Sequence, residues 1–462
     1  MLRFVLAAAV AVLSSVTFGD AYAQRFTPSF NSVGPRGPSM SVGPRGPGFD
    51  RPIIVRTAPA DQDVVETPTT RTVKKKQNGG GGANPAGMPP AGETHFVPDE
   101  VVVVMTGDPE PMARRHRLIR LERLDLGLTG QPLYRWQITG GRSVREVIRQ
   151  LAASGIYSQP NYKFEGSQQN VANAPANDPQ EGDPAQYTLA KLHVGAAHRI
   201  AKGDKVLVAV IDSAIDTSHP ELAGVIAGTF DAVSGNEPHA HGTAIAGAIA
   251  AHSRLQGVAP AAQILGVRAF GASGNGAEGT TFNILKGLDW AASKGARIFN
   301  MSFAGPSDPT LARAMAAARQ RGIVLIAAAG NAGAKSPPLF PAADPNVIAV
   351  SATDAEDRLF EASNRGNYIA VAAPGVDILL PAPGGGYQVL SGTSFAAAHI
   401  SGIAALILER RPDLKPEAVR SILMSAAKDI GPKGRDSQFG AGLADAYQSL
   451  MLLDTSASAA SR

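Results

Sequence analysis

Residues 206–212 read Val-Leu-Val-Ala-Val-Ile-Asp, six consecutive apolar residues followed directly by a carboxylate. A run that is apolar at every position predicts a strand buried on both faces of a sheet. The predicted strands are 206–211, 263–267, 298–301, 323–328, 347–350 and 369–372, and the predicted helices are 242–251, 281–294, 310–319, 395–410 and 416–427. This alternation predicts an α/β fold with a doubly wound, mostly parallel sheet and helices on both faces.

Four polar residues stand where the chain leaves a strand or enters a helix. Asp212 follows the first strand, Asn331 follows a later one, and His241 and Ser394 each begin a predicted helix. Functional groups in parallel sheets gather beyond the carboxyl ends of the strands. A serine hydroxyl becomes a useful nucleophile only when a base removes its proton. The set therefore indicates nucleophilic catalysis by serine.

Each of these residues also has a structural interpretation. Ser394 alone is typical of a helix N-cap. His239 competes with His241 as the base, and His241 is favoured because Gly-Thr follows it and a helix begins there. Structural roles are favoured for three further residues of the same segments, Asp216, His219 and His399.

Five motifs together resemble those of the subtilisin-like serine proteases, the subtilases, over about residues 186–452. They are Val-Ile-Asp212-Ser-Ala-Ile-Asp-Thr-Ser-His-Pro-Glu-Leu, His241-Gly-Thr-Ala-Ile-Ala-Gly, Asn300-Met-Ser-Phe-Ala-Gly-Pro, Ala-Ala-Gly-Asn331 and Gly-Thr-Ser394-Phe-Ala-Ala-Ala-His. The chain order Asp, His, Ser is that of subtilisin. The resemblance implies a serine endopeptidase in which Asp212, His241 and Ser394 form the triad and Asn331 donates to the oxyanion.

The resemblance also implies where a peptide substrate binds. One rim is expected at Ser302, Phe303, Ala304 and Gly305, and the other at Gly274, Asn275 and Gly276. An extended peptide would pair between the two rims as an added strand. Leu339 and Phe340 are candidates for the pocket that receives the residue before the scissile bond.

The motifs depart from the family pattern at three places. Ala214 stands where Gly is usual, Ala244-Ile245 replaces His-Val, and Ala398 replaces a Pro after the nucleophile. None of these changes removes a catalytic atom, although Ala214 adds a methyl group close to Asp212. No cofactor is expected, and a structural calcium ion, which the resemblance permits, has no carboxylate-rich loop to support it.

Three segments precede the large domain. Residues 1–23 have Arg3, an apolar run and an Ala-Tyr-Ala end, which predicts a signal peptide and export, either secreted or periplasmic. Residues 24–94 are rich in Gly, Pro and Arg, repeat Ser-Val-Gly-Pro-Arg-Gly-Pro, and are expected to be disordered. Residues 95–165 predict the order β-α-β-β-α-β, a small α+β, ferredoxin-like unit, with its first helix at 110–120 and its last strand at 156–164.

The subtilase resemblance implies that this small unit is a propeptide that assists folding and inhibits the enzyme until it is cleaved. Residues 166–185 form a polar linker, and self-cleavage is expected between about Phe164 and Gln186. Residues 186–452 would be the peptidase domain and 453–462 a short tail. The expected partners are protein or peptide substrates and the protein's own propeptide in cis.

Composition excludes several other functions. The chain has no cysteine, so disulfides and thiol catalysis are ruled out. A net charge of +4 over 462 residues gives no argument for nucleic acid, and no segment predicts a membrane span. Two alternatives stay open, namely an inactive pseudoprotease that binds peptides and a surface-binding protein that acts through residues 24–93.

Overall fold

The computed structural model describes residues 85–460 except 167–168, 174–182, 184, 236 and 274–275. Residues 1–23, predicted as a signal peptide, lie entirely outside the described residues. Of residues 24–94, predicted to be disordered, only 85–94 are described. The main chain alone is described for residues 169–173 and 454–460. Among the described helices, none combines the length and the apolar character that a membrane crossing requires.

The first folded part of the chain is a small unit, called below the leading unit, at residues 96–166. Its elements are β1 (Phe96–Val104), α1 (Glu110–His116), β2 (Leu118–Leu126), β3 (Gln131–Ile138), α2 (Val144–Ala153) and β4 (Ser158–Gly166). The strand order is β2-β3-β1-β4, with β1 antiparallel to both neighbours. The Ser143 hydroxyl accepts a hydrogen bond from Glu146 N–H at 3.2 Å and so caps α2. This arrangement agrees with the predicted ferredoxin-like unit.

One boundary in the leading unit differs from the prediction. A helix was expected to reach Arg120, but α1 ends at His116 and β2 begins at Leu118. Arg117 between them has a φ of 49°, in the left-handed region that terminates helices. Glycine is the usual residue at such a position, so a sequence with arginine there gives no stop signal.

The larger part of the chain contains the predicted α/β elements. The strands of its main sheet are β6 (Leu207–Asp212), β7 (Ile226–Asp231), β8 (Gln263–Arg268), β11 (Ile298–Met301), β12 (Val324–Ala328), β13 (Ile348–Thr353) and β14 (Ile369–Pro374). The smaller strands are β5 (Gln169–Asn173), β9 (Phe270–Ser273), β10 (Gly276–Thr280), β15 (Ile378–Ala382) and β16 (Gly386–Ser391). The helices are α3 (Tyr187–Lys191), α4 (Val194–Ala197), α5 (Ala240–Ala250), α6 (Thr281–Ser293), α7 (Pro309–Gln320), α8 (Thr393–Arg410), α9 (Pro416–Ala426) and α10 (Ala446–Ala460).

The seven strands of the main sheet are all parallel, in the order β14-β13-β12-β11-β6-β8-β7. Alternate residues of each strand enter two separate cores. Val208 and Val210 pack in the core that includes α5 and α8, whereas Ala209 and Ile211 pack in the core that includes α6 and α7. The predicted α/β, doubly wound fold is therefore confirmed. Strands β7 and β8 lie on one side of β6, and the later strands β11 to β14 lie on the other side. Sites in parallel sheets form where the strand order changes side in this way, so a site is expected at the carboxyl end of β6.

Several elements were not predicted. Strand β7 is at the sheet edge, and β15 and β16 form a hairpin to which β5 adds from the expected linker. Helix α10 continues to Ala460, although residues 453–462 were expected to be a tail. The last strand of the leading unit was expected at 156–164, and β4 instead reaches Gly166.

Candidate active site

Asp212 is the last residue of β6, and its side chain is buried at the carboxyl edge of the main sheet. One carboxylate oxygen, Oδ1, accepts from the Ser213 backbone N–H at 2.7 Å and from the Ser213 hydroxyl at 2.9 Å. The same oxygen lies 2.8 Å from Nδ1 of His241. A carboxylate can only accept, so this contact places the imidazole proton on Nδ1.

His241 lies in the first turn of α5, with its ring only 1% exposed. The other ring nitrogen, Nε2, is buried and has no hydrogen-bond partner among the described residues. The next residue, Gly242, packs against β6's end, where a β-carbon would meet the Ser213 carbonyl oxygen at 2.4 Å. A glycine is therefore required there for α5 to bring His241 to Asp212.

Ser394 is the second residue of α8, a helix that begins directly after the extended Gly392. Its hydroxyl donates to the Ser302 carbonyl oxygen at 3.3 Å and not to His241. Phe395, the next residue, contacts the His241 ring with 5.8 Å between ring centroids. The structure thus joins Asp212 to His241 directly and brings the start of α8 against the same imidazole. Bonds between a serine and its base often tighten only when substrate is bound.

Asn331 follows β12 and is joined to the residue before Ser394. Its side-chain oxygen accepts from the Thr393 N–H at 3.0 Å and from the Thr393 hydroxyl at 2.8 Å. The Thr393 hydroxyl in turn accepts from Gly330 N–H at 3.2 Å. These bonds fix which side of the carboxamide carries oxygen and turn its NH₂ group to the opposite side.

A buried chain of polar side chains holds the first turn of α8. The Ser401 hydroxyl donates to the side-chain oxygen of Asn300, Oδ1, at 2.9 Å, and the Asn300 NH₂ donates to the Ser302 hydroxyl at 2.9 Å. The Ser302 hydroxyl donates to the Ser394 carbonyl at 3.1 Å. Ser302 was predicted as a substrate contact, and its side chain is used to hold Ser394. Sequence reasoning missed Ser401, because a serine inside an Ala-rich helix carries no distinguishing signal.

The end of β4 occupies the cleft between the two predicted substrate rims. Glu165 exchanges two backbone hydrogen bonds with Ala304, at 2.8 and 2.9 Å. On its other side, β4 pairs antiparallel with β10, which begins at the predicted rim residue Gly276. The other two residues of that rim, Gly274 and Asn275, lie outside the described residues. The leading unit therefore contributes a strand to the same cleft that a substrate was expected to fill.

Phe164 of this strand is fully buried in the cleft. Its ring meets Phe303 edge-on with 5.8 Å between centroids. A β-carbon at Gly305 would lie 2.4 Å from the Phe164 ring, so glycine at this position leaves the space that the ring uses. Two residues further on, a β-carbon at Gly166 would lie 3.9 Å from His241 Nδ1. The strand thus runs from an apolar pocket towards the imidazole.

A cavity of about 360 Å³ adjoins this strand and is open in the described structure. Its walls include Ala304, Gly305, Asn331 and Leu339. Phe340 exchanges backbone hydrogen bonds with Gly305 at 2.8 and 3.0 Å, which fixes the loop that carries Leu339. Leu339 therefore lies at the wall of the cleft beside Asn331, and the role of Leu339 and Phe340 in receiving the residue before the scissile bond stays a prediction.

The other histidines and acids of the motifs have structural contacts. His219 binds the Gly386 carbonyl at 3.0 Å, and Asp216 accepts from Ser218 and from Gly384 N–H. His399 binds the Pro374 carbonyl at 2.9 Å, and burial lowers its pKa to about 4. These contacts agree with the structural roles favoured for Asp216, His219 and His399.

Within the described residues, no group of three or more His, Asp or Glu side chains is arranged to hold a metal ion. The buried Glu221 is linked through Tyr387 to the guanidinium of Arg254. Arg254 stacks 4.4 Å from the Tyr387 ring centroid and binds Asp183 at 2.7 Å, while the Tyr387 hydroxyl donates to Glu221 at 2.9 Å. This cluster ties the described end of the linker to the large domain.

Fold and site together define an α/β enzyme of the serine peptidase class. Residues 203–442 match the model of the subtilase family, which is slightly more than half of the chain. Subtilisin Savinase of Lederbergia lenta is 36% identical over 270 residues, covering 56% of this chain and 96% of that protein. M-protease of Shouchella clausii is equally identical over 270 residues and is covered to 68% of its length. The chain belongs to the subtilase family and is a subtilisin-like serine endopeptidase.

A solved structure shares the architecture beyond the family domain. Fervidolysin of Fervidobacterium pennivorans, described as a keratinolytic enzyme related to subtilisin, is 26% identical with a TM-score of 0.67. The superposition covers 79% of this chain and 62% of that one. The share of this chain exceeds the family domain, so part of the leading unit and its surroundings is included.

Proposed function

We propose that this protein is an exported endopeptidase, made as a zymogen, that uses Asp212, His241 and Ser394 as its catalytic triad. The observation that supports it most is the buried Asp212–His241 contact of 2.8 Å beside the start of α8. The opposite ring nitrogen, which has no partner among the described residues, is available to accept a proton. Export rests on the signal-peptide pattern of residues 1–23.

In the proposed reaction the Ser394 hydroxyl attacks the carbonyl carbon of a peptide bond and passes its proton to Nε2 of His241. Asp212 stabilises the resulting imidazolium and holds its orientation. The tetrahedral intermediate collapses as His241 returns the proton to the leaving amine, which breaks the C–N bond and leaves an acyl-enzyme. Water, deprotonated by the same imidazole, releases the acyl group and regenerates the Ser394 hydroxyl.

Asn331 is the proposed side-chain donor to the oxyanion, with the Ser394 backbone N–H as the second donor. Replacing Asn331 with Ala is expected to lower the rate of peptide hydrolysis by about 10²–10³. The measurement is the time course of self-cleavage of the full chain, compared with wild type. Asn331→Asp is the matched control, because it keeps the acceptor for Thr393 and removes the donor. A variant that loses less than threefold in rate would contradict the role.

Substrates are proposed to bind as β4 does, as an extended strand between Ala304 and β10. Backbone hydrogen bonds would supply affinity that is independent of sequence, and the pocket against Phe303 would favour a bulky apolar side chain in the place of Phe164. The substrate class is therefore unfolded or extended segments of proteins.

The leading unit is the proposed inhibitor, and its attachments support this. Besides the β4 ladder, Asn161 accepts from Phe282 N–H at 3.1 Å and Gln159 accepts from Thr310 N–H at 3.1 Å. These side chains thereby accept from N–H groups in the first turns of α6 and α7, the second of which also donates to the N-cap Asp308. The unit fills the cleft and caps the helices beside it, so the enzyme is expected to be inactive towards other proteins while it stays bound.

The self-cleavage site can be narrowed to three peptide bonds. On the upstream side β4 ends at Gly166 beside His241, and on the downstream side β5 begins at Gln169, opposite Ser391 of β16. Because Gly166 lies beside His241 and Ser391 is three residues before Ser394, we place the cut between Gly166 and Gln169. Purified protein is expected to carry a new N-terminus at 167, 168 or 169, determined by terminal sequencing. A chain that stays whole, as a pseudoprotease would, or a sole first cut beyond Asn173 would contradict the proposal.

A further inference from the structure

His239 lies two residues before His241 and is half-buried at the N-cap of α5. Its Nδ1 accepts a hydrogen bond from the His241 backbone N–H at 3.2 Å. The ring is therefore not an alternative base that faces the cleft. The His239 ring binds the main chain of His241, and the side chain of His241 is the one that faces the cleft.

A single hydroxyl links His239 to the catalytic carboxylate. Ser213 Oγ lies 3.1 Å from His239 Nδ1 and 2.9 Å from Asp212 Oδ1, and it accepts from Gly242 N–H at 3.1 Å. Asp212 Oδ1 is also the oxygen that binds His241. Together with the bond from the His241 N–H to His239, these contacts close a ring of four residues around the beginning of α5.

The protons of this ring can be assigned. His239 Nδ1 already accepts an N–H, so it carries no proton, and a neutral ring has its proton on Nε2. The lone pair of Nδ1 is thus already used, and the Ser213 proton goes to the Asp212 carboxylate in a charge-assisted bond, so Ser213 Oγ meets His239 as a polar contact. Protonation of His239 at Nδ1 would set two donors, that N–H and the His241 N–H, against each other and break the cap.

The charged groups around His239 come from three elements. Burial lowers the pKa of His239, the Asp212 carboxylate at the end of β6 opposes that shift, and His241 on α5 and Arg268 on β8 lower the pKa further. The ring consequently stays neutral to a lower pH than an exposed histidine would. At pH values where an exposed histidine would already be charged, the cap and the Ser213 contact therefore remain formed.

We propose that neutral His239 is a positioning residue, which acts through Ser213 and the His241 N–H to hold Asp212 and the start of α5 in alignment, and that its protonation releases that alignment. The inference rests on the proposed function, since it assigns Asp212 and His241 the roles given above. The proposal predicts that two protonations lower the activity at acid pH. Protonation of His241 removes the base, and protonation of His239 releases the alignment of Asp212 and α5.

Three variants test the proposal. His239→Ala removes both contacts, Ser213→Ala removes the link and keeps the cap, and His239→Asn keeps an acceptor for the cap but cannot titrate. With a peptide amide substrate, His239→Ala and Ser213→Ala are each expected to lower kcat about tenfold, the rate equivalent of one hydrogen bond, with KM changed less than twofold. The double variant His239→Ala/Ser213→Ala should be no slower than the slower single variant.

The pH profile supplies the readout that a merely structural role would not move. In wild type, the slope of log kcat/KM against pH is expected to rise from one towards two as the pH falls. In His239→Asn the slope should stay at one. The kcat of this variant at alkaline pH should be within about threefold of wild type. Multiplicative losses in the double variant, full kcat in His239→Ala, or an unchanged steep limb in His239→Asn would each overturn the proposal.

A second measurement separates this inference from the proposed function. In full-length Ser394→Ala protein, the His241 Nδ1 proton bound to Asp212 should give a strongly deshielded proton NMR signal. Adding His239→Ala is expected to broaden or shift that signal, whether or not the wild type hydrolyses peptides. A signal that is unaffected by the change would refute the positioning role, while absent wild-type hydrolysis would refute the proposed function alone.

Discussion

Replacing Ser394 with Ala is expected to reduce peptide hydrolysis by about a millionfold, the loss reported for the same change in subtilisin rather than a derived value. The full chain should consequently stay uncut between Gly166 and Gln169, since no hydroxyl remains to form the acyl-enzyme. Fold and packing should be unaffected, because only the hydroxyl that donates to the Ser302 carbonyl is lost. The measurement is the intact mass of purified protein over days, beside wild type prepared in the same way.

Two controls make that result specific. A trace of wild-type enzyme added to the Ser394→Ala chain should cut it at the same bond, which shows that the bond itself is competent. A fluorophosphonate probe should label the processed wild type and leave the variant unlabelled. Self-cleavage of the variant at an undiminished rate, or equal labelling of both proteins, would remove Ser394 from the mechanism.

Replacing Asp212 with Asn is expected to slow self-cleavage about 10⁴-fold while the thermal unfolding midpoint changes little. The carboxylate oxygen accepts from His241 Nδ1 and from two Ser213 donors. An amide keeps one oxygen for Ser213 but offers its NH₂ to the imidazole, which moves the ring proton to Nε2. That nitrogen can then no longer accept the Ser394 proton.

The Asp212→Asn rate is best followed as the half-time of self-cleavage, because the leading unit fills the cleft and keeps added substrates out of it. His241→Ala, which removes the base entirely, serves as the lower limit of the same assay. A half-time within tenfold of wild type would show that the buried 2.8 Å contact contributes orientation only weakly, and the triad assignment would then fail at Asp212.

The strands of the main sheet were predictable because burial on both faces demands apolar residues at every position. The run 206–211 became β6 with a shift of one residue, and 298–301 became β11 without change. Strand β7 was missed since it is an edge strand whose residues alternate between half-buried and exposed. Strand β5 was missed because Gln169–Asn173 is polar, and only the tertiary pairing with β16 orders it.

The candidate site was predictable in its residues and less so in its connections. Asp212, His241, Asn331 and Ser394 stand at strand and helix ends, the last three of them close to a glycine, and these settings can be read from the chain. The links from His239 to Ser213 and from Ser401 to Asn300 join residues 26 and 101 positions apart. Such pairs depend on how helices pack on the sheet, which no local pattern encodes.

The ladder between β4 and β10 has a consequence for the timing of activity. Hydrolysis after Gly166 breaks one covalent bond but leaves every interstrand hydrogen bond and the buried Phe164 contact in place. The two fragments would persist as a non-covalent pair whose separation follows mass action, with a concentration at which half is dissociated. Dilution, or destruction of the smaller fragment by a neighbouring molecule, would then govern the appearance of activity, and a lag that shortens as enzyme accumulates is its kinetic signature.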